Sequence, residues 1–576
     1  MTTTSSAGAR PYWPANGLVA LLDFAASSHR RAAAFLVAVS LLSFLPGFFQ
    51  IPPVDRDEVY FAQATKQMIE TGDYVDIRYQ DDVRYRKPIG IYWLQAGVVN
   101  LAEALGLRAA RTTIWLYRLP SLFGAIGAVL ATYWCALALV ARRGAVLAAL
   151  MMSGSLLLNV EARLAKTDAV LLFTVVVAMG VLARAYLQRR GRDGAVGGPP
   201  NWLLAAVFWT ALAAGILDKG PLILMVVGLA AITVSIIERS AHWLKALRPL
   251  PGIIWLIVVV SPWLIAIYLR TGSAFLVDSV GHDMLAKISS ARETHGAPPG
   301  LYILLFFVTF FPASVLAPLA APAIWMSRRE PAAYFLLAWL VPAWIVFELV
   351  PTKLPHYVLP LYPAIAILVA GVIERKVLSR RAWLSRLTIL WFIVPILFSI
   401  AAIATTIAFD RDLRLTAWPF LAAAIVCGLF AWRLYEVDGV ERSFMRTMAA
   451  AILAGVGIAG FVLPSLAPAF PSVALASVLK KSSCAFPTVA SSGYEEPSLV
   501  FLTGTATQLT DPASAADFLL GGGCRLAFIE GRQERSFAVR AEAIGLRYNA
   551  GPRIEGYNIS NGQRITVAVF RPADTR

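Results

Sequence analysis

Three acids, Asp55, Asp57 and Glu58, crowd the run DRDEVYFAQATKQMIETG, and the basic run RYRKPIGIYWLQ follows with Arg86 and Lys87. A carboxylate can take a proton from an attacking hydroxyl, and lysine or arginine can hold a phosphate through charge-assisted hydrogen bonds. More groups of the same kinds recur far along the chain. Asp168 closes VEARLAKTDAV, Lys219 follows Asp218, and LVPTKLPHYVLPLYP carries Lys353, His356 and Tyr357. Arg270, His282 and His295 lie in the stretch before residue 301. Carboxylates from two elements and cations from several others would suit a polar headgroup that carries a phosphate.

The elements that must bring these groups together are membrane helices. Of 576 residues, 58% are hydrophobic and 15% charged, and the mean hydropathy is +0.66. A soluble chain this apolar could not cover its surface with polar groups. Apolar runs long enough to span a bilayer, at roughly 20 residues each, fall near 32–51, 113–140, 145–161, 169–188, 202–217, 220–237, 251–269, 301–325, 332–350, 356–373, 387–408, 415–432 and 447–467. That predicts a polytopic α-helical membrane protein of about thirteen spans. The first span carries no small-residue cleavage site and is expected to be retained.

The net charge of +16 does not point to nucleic acid, because the basic residues form short clusters between apolar runs. Arg30-Arg31, Arg142-Arg143, Arg189-Arg190-Arg192, Arg239 with Lys245 and Arg248, Arg328-Arg329, the Arg375–Arg386 cluster and Arg433 with Arg442 and Arg446 fall on one side. The positive-inside rule makes that side cytoplasmic, with the amino terminus. Residues 52–111, 270–300 and 351–356 then share the outer, periplasmic face of a bacterial inner membrane with everything after about 468.

Residues 1–467 thus form the membrane domain and 468–576 a small periplasmic α/β domain. In the latter SLVFLTG, CRLAFIE and RITVAVF read as strands, and SAADFLL and RSFAVRAEAIG as helices. It shows no catalytic motif and is expected to be structural or partner-facing. Cys484 and Cys524 are expected to be bridged there, closing a loop of about 40 residues. Cys135 and Cys427 lie in spans and read as packing residues.

Within the first outer loop, Asp57–Glu70 is expected to form an amphipathic helix along the membrane surface, stopped by Thr71-Gly72. Lys87-Pro88 opens a second one. Asp55 reads as the first helix's amino-terminal cap. Asp57 and Glu58 point about 100° apart on a helix, so both cannot face one centre. Asp57 shares a face with Phe61, Ala64 and Met68, and Glu58 with Ala62, Thr65 and Ile69. Helical geometry alone does not decide between them.

The Asp-Glu pair after the first span, KPIGIYWLQ and KLPHYVLP in combination resemble the GT-C fold, polyprenyl-phosphate-dependent glycosyltransferases. The aminoarabinose transferases that modify lipid A are the most similar branch, and the protein O-mannosyltransferases are more distant. The resemblance covers most of the chain. It implies Asp57, Glu58 and Asp168 as catalytic carboxylates and Lys87, Arg270, Lys353 and Tyr357 around the donor phosphate. Tyr85, Arg86 and His356 complete the expected substrate-binding set. Aminoarabinose transferases commonly carry an acid, associated with a bound metal, just before the Lys-Pro. Arg86 stands there instead, which argues against a metal and against aminoarabinose, and points toward an anionic sugar such as a uronic acid.

The expected activity is inverting transfer of a sugar from a polyprenyl-phosphate donor to lipid A or another envelope glycan, with no cofactor assigned beyond a divalent metal that Arg86 disfavours. A protein O-glycosyltransferase is a variant of this reading. A transporter or flippase for a lipid-linked sugar is the alternative from another class. The charged groups confined to one face and the lack of visible inverted repeats speak against it. A scaffold for envelope assembly would leave the outer acids dispensable.

Overall fold

The computed structural model describes residues 13–188, 202–279, 281, 296–410, 413–482, 484 and 486–573. Among these, nine helices are long and apolar enough to cross a membrane: Ile114–Ala136, Asp168–Leu187, Trp202–Lys219, Pro249–Thr271, Pro331–Leu349, Pro355–Glu374, Ala382–Phe409, Leu415–Arg433 and Val440–Ser465. The other expected spans are shorter or broken helices. Residues 32–51 give His29–Phe44 and then a turn, 145–161 divide into Arg142–Gly154 and Leu156–Glu161, 220–237 become Leu222–Ile237, and 301–325 divide at Phe310–Pro312. Arg142–Gly154 is buried from Gly144 onward and packs against Tyr362–Glu374, so its apolarity serves the bundle interior.

Five of the basic loops, around residues 27, 142, 330, 375 and 441, meet at one end of this bundle. Arg142 Nη1 donates to Ser27 O at 2.9 Å, Arg143 pairs with Asp23 and Glu441, and Arg375 Nη1 lies 2.7 Å from Glu330. Ala141 N donates to Glu374 Oε2 at 3.0 Å in the same region.

The carboxy-terminal domain is a five-stranded mixed sheet ordered β4-β3-β5-β7-β6, built from β3 (Thr488–Ser492), β4 (Gln508–Leu509), β5 (Arg525–Glu530), β6 (Tyr548–Asn558) and β7 (Gln563–Pro572). A two-residue hairpin in the first outer loop, Arg78–Tyr79 with Asp82–Val83, supplies β1 and β2. The strand expectations hold at 524–530 and 564–570 and the helices at 514–520 and 535–545, but SLVFLTG is a helix, Pro497–Thr503. Pro497 at its first turn presets helical φ. The helix buries Phe501 against the first outer loop and Leu499 in the core of the carboxy-terminal sheet. That docking overrides the β propensity of Val and Phe.

Cys484 and Cys524 are bridged, with Cα atoms 5.6 Å apart and a sequence separation of 40. The bridge ties the entry to β3 to the entry to β5. Reducing it is expected to remove about 4 kcal/mol from this domain on the chain-entropy model. A melting scan with and without dithiothreitol, against Cys484→Ser, checks this. An unchanged transition would show the bridge to be energetically idle.

The helix Asp57–Thr71 forms where expected and ends on Gly72 in the left-handed conformation at φ +72°. It is packed within the protein rather than solvated along one face. Ten of its fifteen residues are buried, Glu58, Gln63, Thr65 and Lys66 among them. Phe61, Ala64 and Met68 pack on Tyr92, Trp263 and Ile267. Val59, Ala62 and Ile69 pack on Val99 and Tyr117, and the carboxy-terminal domain also lies on the helix. Lys66 Nζ donates to Phe501 O at 2.9 Å, Gln63 Nε2 to Thr505 Oγ1 at 2.8 Å, and Gln80 Nε2 to Thr507 O at 2.6 Å. Burial lowers the pKa of Lys66 accordingly.

Candidate active site

The first outer loop, the turn before Asp168, the end of Trp202–Lys219, the start of Pro355–Glu374 and two loops of the carboxy-terminal domain enclose a cavity of about 750 Å³. Asp57, Arg86, Lys87, Asp168, His356 and Tyr357 line it, together with Asp55, Arg56, Tyr60, Arg84, Lys166, Thr167, Lys219, Glu495, Glu496 and Ser560.

The structure separates the three clustered acids. Asp57 opens the helix with its side chain 61% exposed toward the cavity, and Lys166 Nζ lies 3.8 Å from Oδ2. Glu58 turns inward. Its carboxylate takes Arg118 Nε at 2.7 Å and Nη2 at 2.9 Å, and accepts Val54 N at 2.9 Å and Ala165 N at 3.0 Å. Arg118 spends its remaining donors on Phe48 O, Ile51 O and Pro52 O. Glu58 therefore joins three chain segments and does not line the cavity.

Asp55 does not cap the helix that follows it. The preceding position is Arg56, at φ +70°, with no side-chain cap. Asp55 instead accepts Ser498 N and Ser498 Oγ, each at 2.8 Å, at the amino end of Pro497–Thr503. It caps a helix 443 residues away. Burial pushes its carboxyl up to about 7, against the two Ser498 bonds.

Asp168 sits at the floor, with its side chain 3% exposed. Lys219 is hydrogen-bonded to its Oδ1, and Lys166 Nζ lies 3.7 Å from Oδ2. Glu161, which sequence reasoning passed over, lies 3.6 Å from the same ammonium and 3.7 Å from His356 Nδ1. Burial disfavours the Lys166 ammonium, but Glu161, Asp168 and Asp57 outweigh that and raise its pKa, so it stays charged. His356 and Tyr357 stand edge to face at 5.0 Å, and Lys219 Nζ lies 5.9 Å from the Tyr357 ring. Lys87 Nζ donates to Arg86 O at 3.0 Å. Gly90 lets this loop approach so closely: a Cβ there would lie 2.7 Å from Leu217 O.

Three expected members point elsewhere. Lys353 is buried, and its Nζ donates to Glu348 O at 2.8 Å and Val350 O at 2.7 Å, closing the carboxyl end of Pro331–Leu349. Arg270 pairs with Asp73 outside the cavity. Tyr85 packs on Phe275 and gives its hydroxyl to Asp76 at 2.8 Å. Burial and that bond push its pKa up to about 12. His282 and His295 lie outside the described residues.

Missed at the cavity wall were Arg56, Arg84, Lys166, Glu495, Glu496 and Ser560. The signal for Lys166 was present, since an ionisable group at a membrane edge two residues before Asp168 is costly unless used. Glu495 and Glu496 gave none, because only the docking of the carboxy-terminal domain brings them in. Six basic side chains thus face five carboxylates across one cavity. Such an arrangement can hold a phosphate and present a carboxylate to a reacting centre at the same time.

Residues 34–274 match the family described as dolichyl-phosphate-mannose-protein mannosyltransferase. The chain is 25% identical to the undecaprenyl phosphate-alpha-4-amino-4-deoxy-L-arabinose arabinosyl transferase of Pectobacterium atrosepticum over 374 residues, 62% of each chain. The enzyme of that name from Edwardsiella ictaluri is 25% identical over 444 residues, 73% of this chain and 74% of its own. The crystal structure of ArnT from Cupriavidus metallidurans in the apo state superposes with a TM-score of 0.71 over 96% of this chain and 98% of that one, at 18% identity. Its form bound to undecaprenyl phosphate gives 0.70 over 94% and 98%. The chain has the ArnT fold, of GT-C type.

Proposed function

We propose that the protein is an integral-membrane, inverting glycosyltransferase that takes a sugar from a polyprenyl-phosphate carrier and passes it to lipid A or another envelope acceptor. The observation that carries this reading is the cavity itself. Asp57 is open to it, Lys87, Arg86 and Lys219 surround the same space, and Tyr357 stands beside them. The names and folds of the relatives agree with it.

In the reaction, an acceptor oxygen attacks the anomeric carbon while the bond from that carbon to the carrier phosphate breaks. The electron pair leaves on the phosphate. Lys87, Lys219 and the Tyr357 hydroxyl would stabilise that developing charge. A hydroxyl acceptor gives its proton to Asp57, whereas a phosphate acceptor has none to give and Asp57 then orients it. Arg86 adds a cation at the cavity mouth and fits a sugar that is itself anionic.

We place the cavity on the periplasmic face of the bacterial inner membrane and the amino terminus in the cytoplasm. Five of the arginine-rich loops converge at one end of the bundle, and these are among the loops that the positive-inside rule retains in the cytoplasm. A cysteine placed near residue 78, or at the exposed Val539 of the carboxy-terminal domain, should label with an impermeant thiol reagent from outside, and one near 380 should not. The reverse pattern would invert the orientation.

Purified protein in detergent, given a polyprenyl-phosphate sugar and lipid A, tests the activity. Mass spectrometry of lipid A from a deletion strain identifies the sugar. Product formed without a vesicle barrier rules for transfer over transport. Lys87→Ala is expected to lower turnover by about 10²–10³, or 2.7–4 kcal/mol, as for an oxyanion donor. Lys87→Arg should restore only part, because a guanidinium is a wide planar fork. Near-normal turnover in the alanine variant would remove Lys87 from the phosphate site.

A further inference from the structure

Enzymes of this fold that use a divalent ion need ligands for it, and two features of this chain decide whether it has them. Arg86 stands before Lys87 and offers no ligand atom. Among the described residues, one group of His and carboxylate side chains does have ligand atoms close enough, within 4.8 Å of one another: Glu161, Asp168 and His356. All three are largely buried, with side chains 3%, 3% and 12% exposed. Oε2 of Glu161 is buried without a hydrogen-bond partner, which is unusual for a carboxylate and marks a position built around a charge.

A charge is already there. Lys166 Nζ lies 3.6 Å from Glu161, 3.7 Å from Asp168 and 3.8 Å from Asp57. The backbone of Lys166 is pinned, with its carbonyl accepting Ser121 Oγ at 2.9 Å. Its neighbour Ala165 is held by Glu58 at 3.0 Å. Lys219 occupies Asp168 from the other side. A divalent ion bound by the three ligands would sit next to two ammonium groups in a site shielded from solvent, where like charges repel strongly. The residues present do not fit a metal.

We propose that the Lys166 ammonium takes the place of a divalent cation in this centre, holding Asp57 and Asp168 in position across the cavity floor, and that the protein works without metal. A primary ammonium supplies one positive charge, and here it stands within 3.8 Å of three carboxylates. The positioning of Asp57 for transfer rests on the glycosyltransferase reading; the exclusion of metal by Lys166 does not.

The test measures metal content first and turnover second. Untagged protein, purified in detergent, is dialysed against Co²⁺ and against Zn²⁺ and analysed by elemental mass spectrometry and by Co²⁺ d–d absorbance. The native protein should retain no ion at this centre. Lys166→Met leaves Glu161 without its cation and only Lys219 on Asp168, and should take up one equivalent. Adding Glu161→Gln to that variant should abolish the uptake. Lys166→Gln, a smaller neutral change, serves if the methionine variant does not fold. Lys166→Arg should stay metal-free and keep part of the activity. One equivalent on the native protein that is lost in Glu161→Gln would overturn the proposal, since the triad would then hold a metal despite the lysine. A folded Lys166→Met or Lys166→Gln that binds nothing would overturn it equally. Should the native protein prove metal-free while no sugar transfer is found, the transferase reading fails and the assignment of Lys166 stands.

Discussion

Asp57→Asn is expected to lose about 10²–10⁴-fold in turnover toward a hydroxyl acceptor, the contribution usual for a positioned general base. Its melting temperature and donor binding should stay close to those of the parent protein. The reason is its setting. Its side chain is 61% exposed into the cavity, and the Lys166 ammonium stands 3.8 Å from its carboxylate. Asparagine keeps the shape and removes the acceptor of the proton. Turnover, donor binding and thermal melting on the same preparation separate these effects. An active Asp57→Asn enzyme would remove this residue from the chemistry. Toward a phosphate acceptor the loss should be smaller, because there is no proton to take.

Its neighbour should behave in the opposite way. Glu58→Ala is expected to destabilise the protein by about 3–5 kcal/mol, the cost of leaving one partner of a buried ion pair alone. Arg118 and Glu58 have side chains 0% and 1% exposed. Removing the carboxylate strands a guanidinium and also frees the amides of Val54 and Ala165. Activity should fall because Ala165 leads directly into Lys166 and Asp168, so the cavity floor loosens along with the fold. Glu58→Gln should fall between, since the amide oxygen can still accept one bond. Paired melting curves and kinetics on all three proteins decide the matter. A normally stable Glu58→Ala would mean that the buried pair contributes no net stability.

Much of the molecule was legible before its tertiary structure. Long apolar runs of helical length have one stable form in a bilayer, so nine of the thirteen expected spans could be read directly, whereas the other four are shorter or broken helices among the described residues. The alternation of apolar runs with arginine clusters ordered the loops. Lys87-Pro88 and Thr71-Gly72 bounded their helices because proline and glycine act locally. Asp57, Arg86, Lys87, Asp168, His356 and Tyr357 could be nominated from residue type and from their place at the edges of apolar runs. All six meet in one cavity.

What the tertiary structure decided is which way each charged group faces. Adjacent acids on a helix differ by about 100°, and nothing local says which direction is solvent. Arg118, sixty positions along the chain from Glu58, settles it by binding that residue and leaving Asp57 outside. Asp55 seemed bound to cap its own helix and caps Pro497–Thr503 instead, because Ser498 arrives with a different domain. Lys353 and Tyr85 have the right residue types but satisfy carbonyls and Asp76 away from the cavity. Hydrogen bonds between buried polar groups are selected by what packs opposite, often hundreds of residues distant, and that pairing is written only in three dimensions.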